Sequence, residues 1–574
     1  MKGIGVSPGI AIGRAFVIQK KTTATTGILL NNPGEIEAAI EQFDKAITSA
    51  VNEIEAIKVN SPDLSDNDLA ILETQIELLN DPEIRESVVE KIASEHKNMG
   101  DALLETIAGF VQVFESMEDA YMRARAADIQ DIGDRVWKNI SNSETVNQLT
   151  FKPDTIIIAE DLSPSDTITM DITKVVGFAT QAGSQTSHAA IIAKAKGIPA
   201  IVGCGADLID IKNDDVIILD AITGEAFINP NQQILDEYLI KRNAYQRYAV
   251  ELKALHDVPA ITTDGLQITL TANISGAADL ADVFNNGGEG VGLLRTELLF
   301  MNRDTFPSED EQFEFYKNTA LQAKGKPVIV RTIDIGGDKH LPYFNLPAEL
   351  NPFLGYRAIR ICLDRKDLFI TQLKAILRAS VFGDLKIMFP MISNIREVRA
   401  AKSILEEAKE ELRKEGLPFK AGVKVGIMVE IPSAAITADL LAREVDFFSI
   451  GTNDLCQYTL AVDRMNEKIS HLYDPFNPAV LRLISFVIEQ GAKQNIHVGM
   501  CGEMASDPMA TLLLMGMGLK EFSMSATSIP VIKSIIINSS ELKAKQVWEN
   551  VKDMDSSEEI LEYLKGNKLT SPYC

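Results

Sequence analysis

The fold is decided by the stretch FFSIGTND at residues 447–454, in which a short apolar run ends in glycine and polar side chains. Four apolar or small residues suffice for a buried strand, and the glycine marks its end. The stretch VGIMVE at residues 425–430 repeats the pattern and ends in a glutamate. A segment of helical character separates the two, so we predict neighbouring parallel strands joined by a crossover helix.

Outward from this pair, the same unit recurs through the C-terminal region. Apolar runs that precede helical segments occupy residues 268–272, 290–294, 328–330, 387–389, 425–429, 447–450, 498–500 and 522–524. Eight strand–helix repeats predict a (β/α)8 barrel of the TIM type, whose active site lies at the carboxyl ends of the strands. Polar residues follow strand after strand, and residues without a role would not collect at one end. The pattern therefore predicts an enzyme.

The N-terminal part of the chain has a different organisation. A predicted strand at residues 10–18 precedes a long helical pattern that begins after Asn32-Pro33 and ends near residues 141–143. Strand signals resume at residues 155–159, 175–179, 198–202 and 216–219. We therefore predict an α/β module into which an all-helical module is inserted. Residues 232–255 lack glycine and proline and are predicted to form a connecting helix that leads to the barrel.

Composition restricts the class of protein. At 574 residues the chain is too long to fold around a single hydrophobic core, so about three or four domains are expected. The 81 Asp and Glu against 56 Lys and Arg argue against nucleic acid as a partner. Five scattered cysteines, none in a Cys-x-x-Cys spacing, favour a reducing compartment over a disulfide framework or a zinc site. With neither a signal peptide nor an apolar run of roughly 18 residues, we expect a soluble, cytoplasmic protein without a membrane partner.

A separate feature is GSQTSH at residues 183–188, which follows an apolar strand run and precedes a short helical segment. Ser187 is a natural N-cap, which places His188 in the first helical turn, where unpaired amides and the helix dipole favour an anion. A histidine held there can act as a nucleophile whose phosphorylated form the backbone stabilises. The alternative is a histidine that only caps the helix or packs against it.

Several candidate residues stand at predicted strand ends of the barrel. Arg295 and Arg331 follow apolar strands, where a guanidinium is costly unless it binds an anion or pairs with a carboxylate. Two convergent arginines suit a phosphate group, and a salt bridge such as Arg295 with Glu297 is the alternative. Glu430 and Asp454 suit Mg²⁺, because this ion takes one or two carboxylates together with substrate oxygens.

Three further residues belong to the same end of the barrel. Asn453 and its neighbours could present backbone amides to an anion, or form an ordinary turn. Cys501, between glycines at another strand end, could give or take a proton, or be a small core residue. Arg464 is either a third cation around the anion or a surface arginine paired with Asp463.

Five segments carry a resemblance to a known family. They are residues 183–188, 290–297 (GVGLLRTE), 331–339 (RTIDIGGDK), 451–455 (GTNDL) and 499–503 (GMCGE). Together they resemble Enzyme I of the bacterial sugar phosphotransferase system, a family of phosphoenolpyruvate–protein phosphotransferases. The resemblance covers essentially the whole chain. It implies a phosphohistidine α/β domain at 1–22 and 144–230, a helical HPr-binding subdomain at 23–143, a linker helix at 231–258 and a phosphoenolpyruvate-binding barrel at 259–574.

The resemblance also implies roles for the candidate residues. His188 would take the phosphoryl group of phosphoenolpyruvate on Nε2, and Cys501 would protonate the departing enolate to give pyruvate. The remaining roles are substrate binding by Arg295, Arg331, Asn453, Asp454 and Arg464, and Mg²⁺ binding by Glu430 and Asp454. His188 lies in a different module from the barrel, so we predict a large swing about the linker that brings the two together.

The expected protein partners are the phosphocarrier protein HPr and a second copy of the chain, paired through the C-terminal domain. A mixed acidic and apolar surface on the inserted helices suits a basic carrier, and an ordinary solvated helix face is the alternative. The residues proposed for it are Asp63, Asp66, Asp68, Glu73, Glu77, Asp81, Glu83 and Glu86 beside Ile76, Leu78, Leu79 and Ile84.

The chain departs from the family pattern at two places. The family usually reads Gly-Gly-Arg before Thr-Ser-His, whereas this chain has Ser184 and Gln185 after the first glycine, so a flexible position and a cation are missing. Cys456 stands where the family usually has threonine. Neither change removes a group assigned to the chemistry, but both bear on transfer rate and carrier preference.

Three rival classes share parts of this fold. A dikinase has the histidine module and the barrel but carries a nucleotide-grasping domain, for which the first 230 residues leave little room, and no Walker-type motif is found. The nitrogen-related branch of Enzyme I adds an N-terminal sensory domain, which is not seen here. A non-catalytic signalling scaffold should have lost some of the candidate barrel residues, and all of them are present.

Overall fold

The structure is a computed structural model that describes residues 1–566 apart from short gaps. The gaps are residues 19–26, 61–65, 117–119, 142–150, 163–171, 184–188, 191–192 and 194–196 and the single positions 302, 338, 340, 342, 345, 348 and 467. The chain divides into two compact units, Met1–Gln246 and Arg247–Cys574.

The first unit contains a seven-stranded sheet in the order β1-β5-β4-β3-β2-β6-β7. The strands are β1 (Ile4–Ser7), β2 (Ile10–Ile18), β3 (Thr155–Ala159), β4 (Val175–Thr180), β5 (Ala200–Val202), β6 (Val216–Asp220) and β7 (Glu225–Ile228). Strands β2 to β5 are parallel neighbours, while β1 pairs antiparallel with β5, and β6 pairs antiparallel with both β2 and β7. The central strand β3, TIIIA, is buried along its whole length, as a strand covered on both faces requires.

Between β2 and β3 the described chain forms a group of five helices. They are α1 (Pro33–Asn60), α2 (Asp66–Leu79), α3 (Pro82–Ser94), α4 (Met99–Glu115) and α5 (Ala120–Ile140). Their apolar faces share one core, in which Phe43 and Ile54 of α1 and Ile92 of α3 are fully buried. Helix α3 begins at proline because Asp81 caps it and accepts a hydrogen bond from the amide of Glu83. The predicted helical insertion is therefore present.

The next helix, α6 (Gln232–Ala254), follows β7 and matches the predicted connecting helix. In its second turn, Tyr238 is buried with Ile10 and Ile218 of the sheet. Its ring also packs against Phe227, with 5.1 Å between ring centroids. The first part of α6 is thus fixed to the sheet.

The second unit is a closed barrel of eight parallel strands in the order β10-β11-β12-β13-β14-β15-β8-β9. The strands are β8 (Thr269–Ile274), β9 (Val291–Leu294), β10 (Pro327–Arg331), β11 (Asp384–Phe389), β12 (Val425–Val429), β13 (Phe447–Ile450), β14 (His497–Met500) and β15 (Glu521–Met524). This confirms the predicted (β/α)8 barrel. Cys501 and five apolar side chains fill the interior, namely Leu293, Ile329, Met388, Met428 and Phe447.

Helices surround the barrel on the outside. They are α7 (Leu280–Asn285), α8 (Glu309–Gln322), α9 (Ile359–Asp364), α10 (Lys366–Ala379), α11 (Ile395–Glu415), α12 (Pro432–Ile436), α13 (Ala438–Leu441), α14 (Thr452–Leu460), α15 (Pro478–Lys493), α16 (Thr511–Met517), α17 (Ile529–Ile537), α18 (Glu541–Val551) and α19 (Ser557–Gly566). Ser308 and Glu311 form a capping box that starts α8. Gly416, with a φ of 70°, ends α11 in the left-handed conformation.

A buried lysine ties the start of the second unit to the barrel. The Lys533 ammonium donates hydrogen bonds to the carbonyl oxygens of Leu255 and His256, each at 3.2 Å, and of Gly287 at 3.1 Å. Gly287 has a φ of 76°, and a Cβ there would lie 2.5 Å from the carbonyl oxygen of His256. The chain after α6 is therefore held against the barrel by polar contacts that need both residues.

Among the helices of the described ranges, none is long and apolar enough to cross a bilayer.

Candidate functional site

The carboxyl ends of the barrel strands surround a cleft of about 520 Å³. The strand-end residues predicted from the sequence all line it, namely Arg295, Arg331, Glu430, Asn453, Asp454, Arg464 and Cys501. Because these residues stand at or beyond the ends of five different strands, only closure of the barrel brings them together.

Arg331 is the last residue of β10 and is buried in the wall of the cleft. Its Nη2 pairs with Glu297, and its Nη1 lies 3.4 Å from Asp334 Oδ2. Burial disfavours the charged guanidinium, but the negative charges of Glu297 and Asp334 raise the pKa of Arg331 above its ordinary value. Arg331 therefore stays a cation inside the protein.

Arg295 is exposed to the cleft. The predicted alternative, a salt bridge between Arg295 and Glu297, is not formed, because Glu297 pairs with Arg331 and lies 3.2 Å from Lys339 Nζ. Within the described ranges Arg295 has no carboxylate partner, which leaves its guanidinium available to an anion.

Two more cations line the cleft and were not assigned a role from the sequence. Lys339 Nζ lies 3.3 Å from Asp334 Oδ2, and Arg357 Nη2 lies 3.0 Å from Asp334 Oδ1. Lys339 stands inside a recognised motif, but Arg357 lies in the long loop after β10, far from any strand end. A prediction based on strand ends alone therefore does not identify Arg357.

Glu430 directly follows β12 and is 2% exposed. Its Oε1 accepts a hydrogen bond from the Met391 amide at 2.6 Å. Burial and the negative charge of Asp454 raise the pKa of Glu430 to about 8, although Arg331 and Arg357 oppose the shift. The surrounding positive charge is therefore too small to keep the Glu430 carboxyl fully ionised at neutral pH.

Asp454 is in the first turn of α14 and is also buried. Its Oδ2 lies 3.4 Å from Arg357 Nη2, and its Oδ1 lies 3.7 Å from Arg464 Nη2. Oδ1 accepts no hydrogen bond within the part of the chain that the structure describes. Arg464 therefore faces the cleft, whereas Asp463 accepts a hydrogen bond from the amide of Met465.

The two carboxylates fit a divalent cation. A buried glutamate that resists ionisation beside an aspartate with an unpaired oxygen would be stabilised by an added positive charge. No cluster of three or more His, Cys, Asp or Glu in the described ranges could hold a metal. The donor set is therefore two carboxylates, which suits an ion such as Mg²⁺ that takes its other ligands from substrate and water.

Asn453 joins two strand ends. Its Nδ2 donates to Glu503 Oε1 at 3.0 Å, and its Oδ1 accepts from the Glu503 amide at 2.8 Å. Close approach depends on Gly502, where a Cβ would lie 1.9 Å from Thr452 Oγ1. The ordinary turn considered for Asn453 is not found, since residues 452–454 begin α14.

Cys501 directly follows β14 and is 5% exposed. Burial raises the pKa of Cys501 to about 11, against the opposing effects of Ser449 and Arg331. The thiol is therefore protonated at neutral pH. In that state it can donate a proton and is a poor nucleophile.

The histidine segment lies outside the described residues. His188, the N-cap Ser187 and the departures Ser184 and Gln185 all fall in the gap at 184–188. The role predicted for His188 stays a prediction from the sequence. The strand β4 that precedes the segment is present as predicted.

Fold and cleft together define a class of enzyme that binds a small anion at the carboxyl face of a barrel. Residues 249–541 match the PEP-binding domain of PEP-utilising enzymes, where PEP is phosphoenolpyruvate. Residues 2–125 match the N-terminal domain of PEP-utilising enzymes, and residues 151–224 match their mobile domain.

Similar proteins narrow this class. The chain is 47% identical over 566 residues to the phosphoenolpyruvate-protein phosphotransferase of Bacillus subtilis (strain 168), covering 98% of this chain and 99% of that protein. It is 45% identical over 567 residues to the protein of that name from Staphylococcus aureus (strain Mu50 / ATCC 700699), covering 99% of each. A solution NMR structure of an Enzyme I protein is 35% identical, covers 43% of this chain and 99% of that one, and has a TM-score of 0.38. The chain belongs to the phosphoenolpyruvate–protein phosphotransferase family.

Proposed function

We propose that this protein transfers the phosphoryl group of phosphoenolpyruvate to its own His188 and then to a histidine of the carrier protein HPr. The observation that supports this most is the convergence of three predicted arginines, two buried carboxylates and a protonated thiol in one cleft. Phosphoryl transfer depends mainly on positioning and charge neutralisation, and such a cleft provides both.

Substrate binding is assigned to the cations of the cleft. Arg295, Arg331 and Arg464, with Asn453, would hold the phosphate and the carboxylate of phosphoenolpyruvate. Arg357 and Lys339 add positive charge at the same place, and Asp334 holds both of them. A group of cations with fixed orientations neutralises the substrate without reorganising.

Glu430 and Asp454 would hold Mg²⁺, and the bound ion would neutralise charge on the substrate oxygens. This assignment rests on the donor set described above. Arg357 and Arg464 lie 3.4 and 3.7 Å from oxygens of Asp454, and the charges of Arg331 and Arg357 act on Glu430.

The proposed reaction uses two groups of this chain. The Nε2 atom of neutral His188 forms a bond to phosphorus as the bond from phosphorus to the enol oxygen breaks. The resulting enolate takes a proton at its methylene carbon from the Cys501 thiol and becomes pyruvate, and solvent then restores the thiol proton. The buried thiol remains protonated below a pH of about 11, so the proton is present at neutral pH.

The docking surface for HPr is assigned to α2 and α3. Glu73 and Glu77 of α2 and Glu83 and Glu86 of α3 are exposed, and Ile84 is partly buried. Of the other residues predicted for this surface, Leu79 is buried in the helical core and cannot contact a partner. Asp63 lies outside the described ranges, and so do the side chains of Asp66 and Asp68. A basic carrier face would be attracted to the remaining acidic surface.

Three further features are proposed. Pairing of two copies through the C-terminal domain follows from the family resemblance. A cytoplasmic location fits the free thiols of Cys204, Cys362, Cys456 and Cys501, since such thiols persist in a reducing compartment. The predicted domain ranges, 1–22 with 144–230, 23–143, 231–258 and 259–574, also stay proposals.

The test is incubation of the protein with Mg²⁺ and phosphoenolpyruvate labelled at phosphorus, without nucleotide. Acid-labile, base-stable label is expected on His188, and the variant His188→Ala should take up none. The control His471→Ala changes an exposed histidine of the second unit and should be labelled like the wild type. Label on another residue, or a requirement for ATP, would contradict the proposal.

A further inference from the structure

The hydroxyl of Tyr458 makes one hydrogen bond to an oxygen and one to a nitrogen at the edge of the cleft, and it also lies 4.0 Å from Met391 Sδ. It lies on α14 one turn beyond Asp454, so the two side chains leave the same face of the helix. Its hydroxyl donates to the carbonyl oxygen of Phe353 and accepts from Arg357 Nη1 at 3.2 Å. Phe353 and Arg357 both line the cleft. Tyr458 thus joins the helix after β13 to the loop after β10.

Arg357 depends on this hydroxyl. The guanidinium is buried, with its Nη2 held 3.0 Å from Asp334 Oδ1 and 3.4 Å from Asp454 Oδ2. It also lies over the ring of Phe353, 5.6 Å from the centroid. Without the hydroxyl of Tyr458, Nη1 would be a buried donor that loses its acceptor, which is costly for a charged group.

The loop around Phe353 is held from two sides. On the side of the loop itself, Arg360 Nη1 donates to the carbonyl oxygens of Leu354 and Gly355, each at 2.7 Å. From the side of α14, the hydroxyl of Tyr458 holds the carbonyl of Phe353. Removal of the hydroxyl would take away the hydrogen bond that joins the carbonyl of Phe353 to α14.

The hydroxyl of Tyr458 stays protonated at neutral pH. Burial raises the pKa of Tyr458 to about 12, so the group is a donor and an acceptor at neutral pH. Its two partners, a carbonyl oxygen and a guanidinium, match that pair of roles.

We propose that Tyr458 is a positioning residue for phosphoryl transfer, whose hydroxyl fixes Arg357 and the Phe353 segment as one wall of the substrate cleft. The inference rests on the proposed function, since this wall affects turnover only if phosphoenolpyruvate reacts in the cleft.

The variant Tyr458→Phe keeps the ring and removes both hydrogen bonds. We expect the KM for phosphoenolpyruvate in His188 phosphorylation to rise about tenfold, with kcat within about threefold of the wild type, because the wall binds substrate and transition state alike. The matched control is Tyr356→Phe, in the same loop as Phe353. It removes a hydroxyl that donates a hydrogen bond to Asp364, and it should keep the wild-type KM. Equal KM values for the two variants would overturn the proposal.

A double-mutant cycle tests whether Tyr458 acts through Arg357. In the background of Arg357→Lys, which lacks the forked guanidinium, adding Tyr458→Phe should change KM by less than about twofold. Independent effects that multiply would show that Tyr458 acts by another route, and would overturn the proposal.

The wild type and His188→Ala are run beside these variants. If the wild type takes up no label from phosphoenolpyruvate, the proposed function fails and this inference fails with it. If the wild type is labelled at His188 and Tyr458→Phe retains its KM, only this inference fails.

Discussion

At the scale of single residues, Glu430 is a buried carboxyl whose proton is retained by burial and by the charge of Asp454. The variant Glu430→Gln removes one proposed ligand of Mg²⁺. We expect Mg²⁺ to raise the melting temperature of the wild type and to leave that of the variant unchanged, because binding to the folded state alone stabilises it. Thermal unfolding with and without Mg²⁺ measures this. The control Glu503→Gln changes another carboxylate that lines the cleft and should keep the Mg²⁺ effect.

The pKa of Glu430 also predicts how Mg²⁺ binding depends on pH. The pKa of about 8 means that protons compete with the metal below that pH. Apparent Mg²⁺ affinity should therefore rise with pH by up to about tenfold per unit and level off above about pH 8. Calorimetric titration between about pH 6 and 9 tests this. A constant affinity across that range would show that Glu430 is not a ligand.

The buried thiol of Cys501 supports a third residue-scale prediction. The variant Cys501→Ala should release pyruvate about 100-fold more slowly or worse, since it lacks the proposed proton donor. Pyruvate release after mixing with phosphoenolpyruvate measures the effect. Cys204→Ala is a matched control, because burial also raises the pKa of Cys204 to about 11 and this cysteine lies in the other unit. Comparable pyruvate release by both variants would remove Cys501 from the reaction.

The sequence could predict the site residues that stand at strand ends or shortly beyond them, and could not predict those whose place in the cleft depends on packing between separate elements. Glu430 and Cys501 each follow an apolar run by one residue, so the barrel geometry alone places them in the cleft. Arg357 and Tyr458 reach the cleft through the packing of the loop after β10 against α14. That packing is a tertiary contact between residues 101 positions apart, for which no spacing rule exists.

At the scale of elements, Lys533 on α17 supports a prediction about stability. The variant Lys533→Met would remove the lysine donor from three partly buried carbonyl oxygens. We expect the free energy of unfolding of the barrel unit to fall by about 2 kcal/mol. Denaturant unfolding, monitored by the intrinsic fluorescence of the barrel unit, measures this free energy. Lys543→Met, at an exposed position of α18, should have little effect.

The elements themselves were predicted well where hydrophobic periodicity was strong. The predicted ends of all eight barrel strands and of the connecting helix lie within a few residues of the observed ends. Strands β1 (IGVS) and β7 (EAFI) were not predicted, although barrel strands of the same length were, and each contains residues that stay partly or fully exposed. Both strands pair antiparallel with the sheet, and such edge strands are specified by their neighbours more than by their own sequence.

At the scale of the whole molecule, the proposed reaction needs His188 to visit a cleft in the other unit. We expect a reversible disulfide crosslink between cysteines introduced on either side of residues 232–255 to reduce turnover about tenfold or more. Binding of phosphoenolpyruvate, measured by calorimetry, should be unchanged. Addition of reductant should restore turnover. A crosslinked protein that turns over at the full rate would refute the swing.

The group of five helices occupies an unusual position in the chain. It lies between β2 and β3, which pair in parallel with Ile18 opposite Ala159, so it stands where an ordinary sheet has a single crossover helix. The insertion leaves the sheet at the carboxyl end of β2 and returns at the amino end of β3, opposite Arg14, and within the described ranges it adds no strand to the sheet. The sequence and structure of this insertion can therefore change during evolution while the strand order of the sheet stays the same. Under the proposed function, the surface that selects the carrier and the cleft that binds the phosphoryl donor lie in separate parts of the chain, so each can diverge without a change in the other.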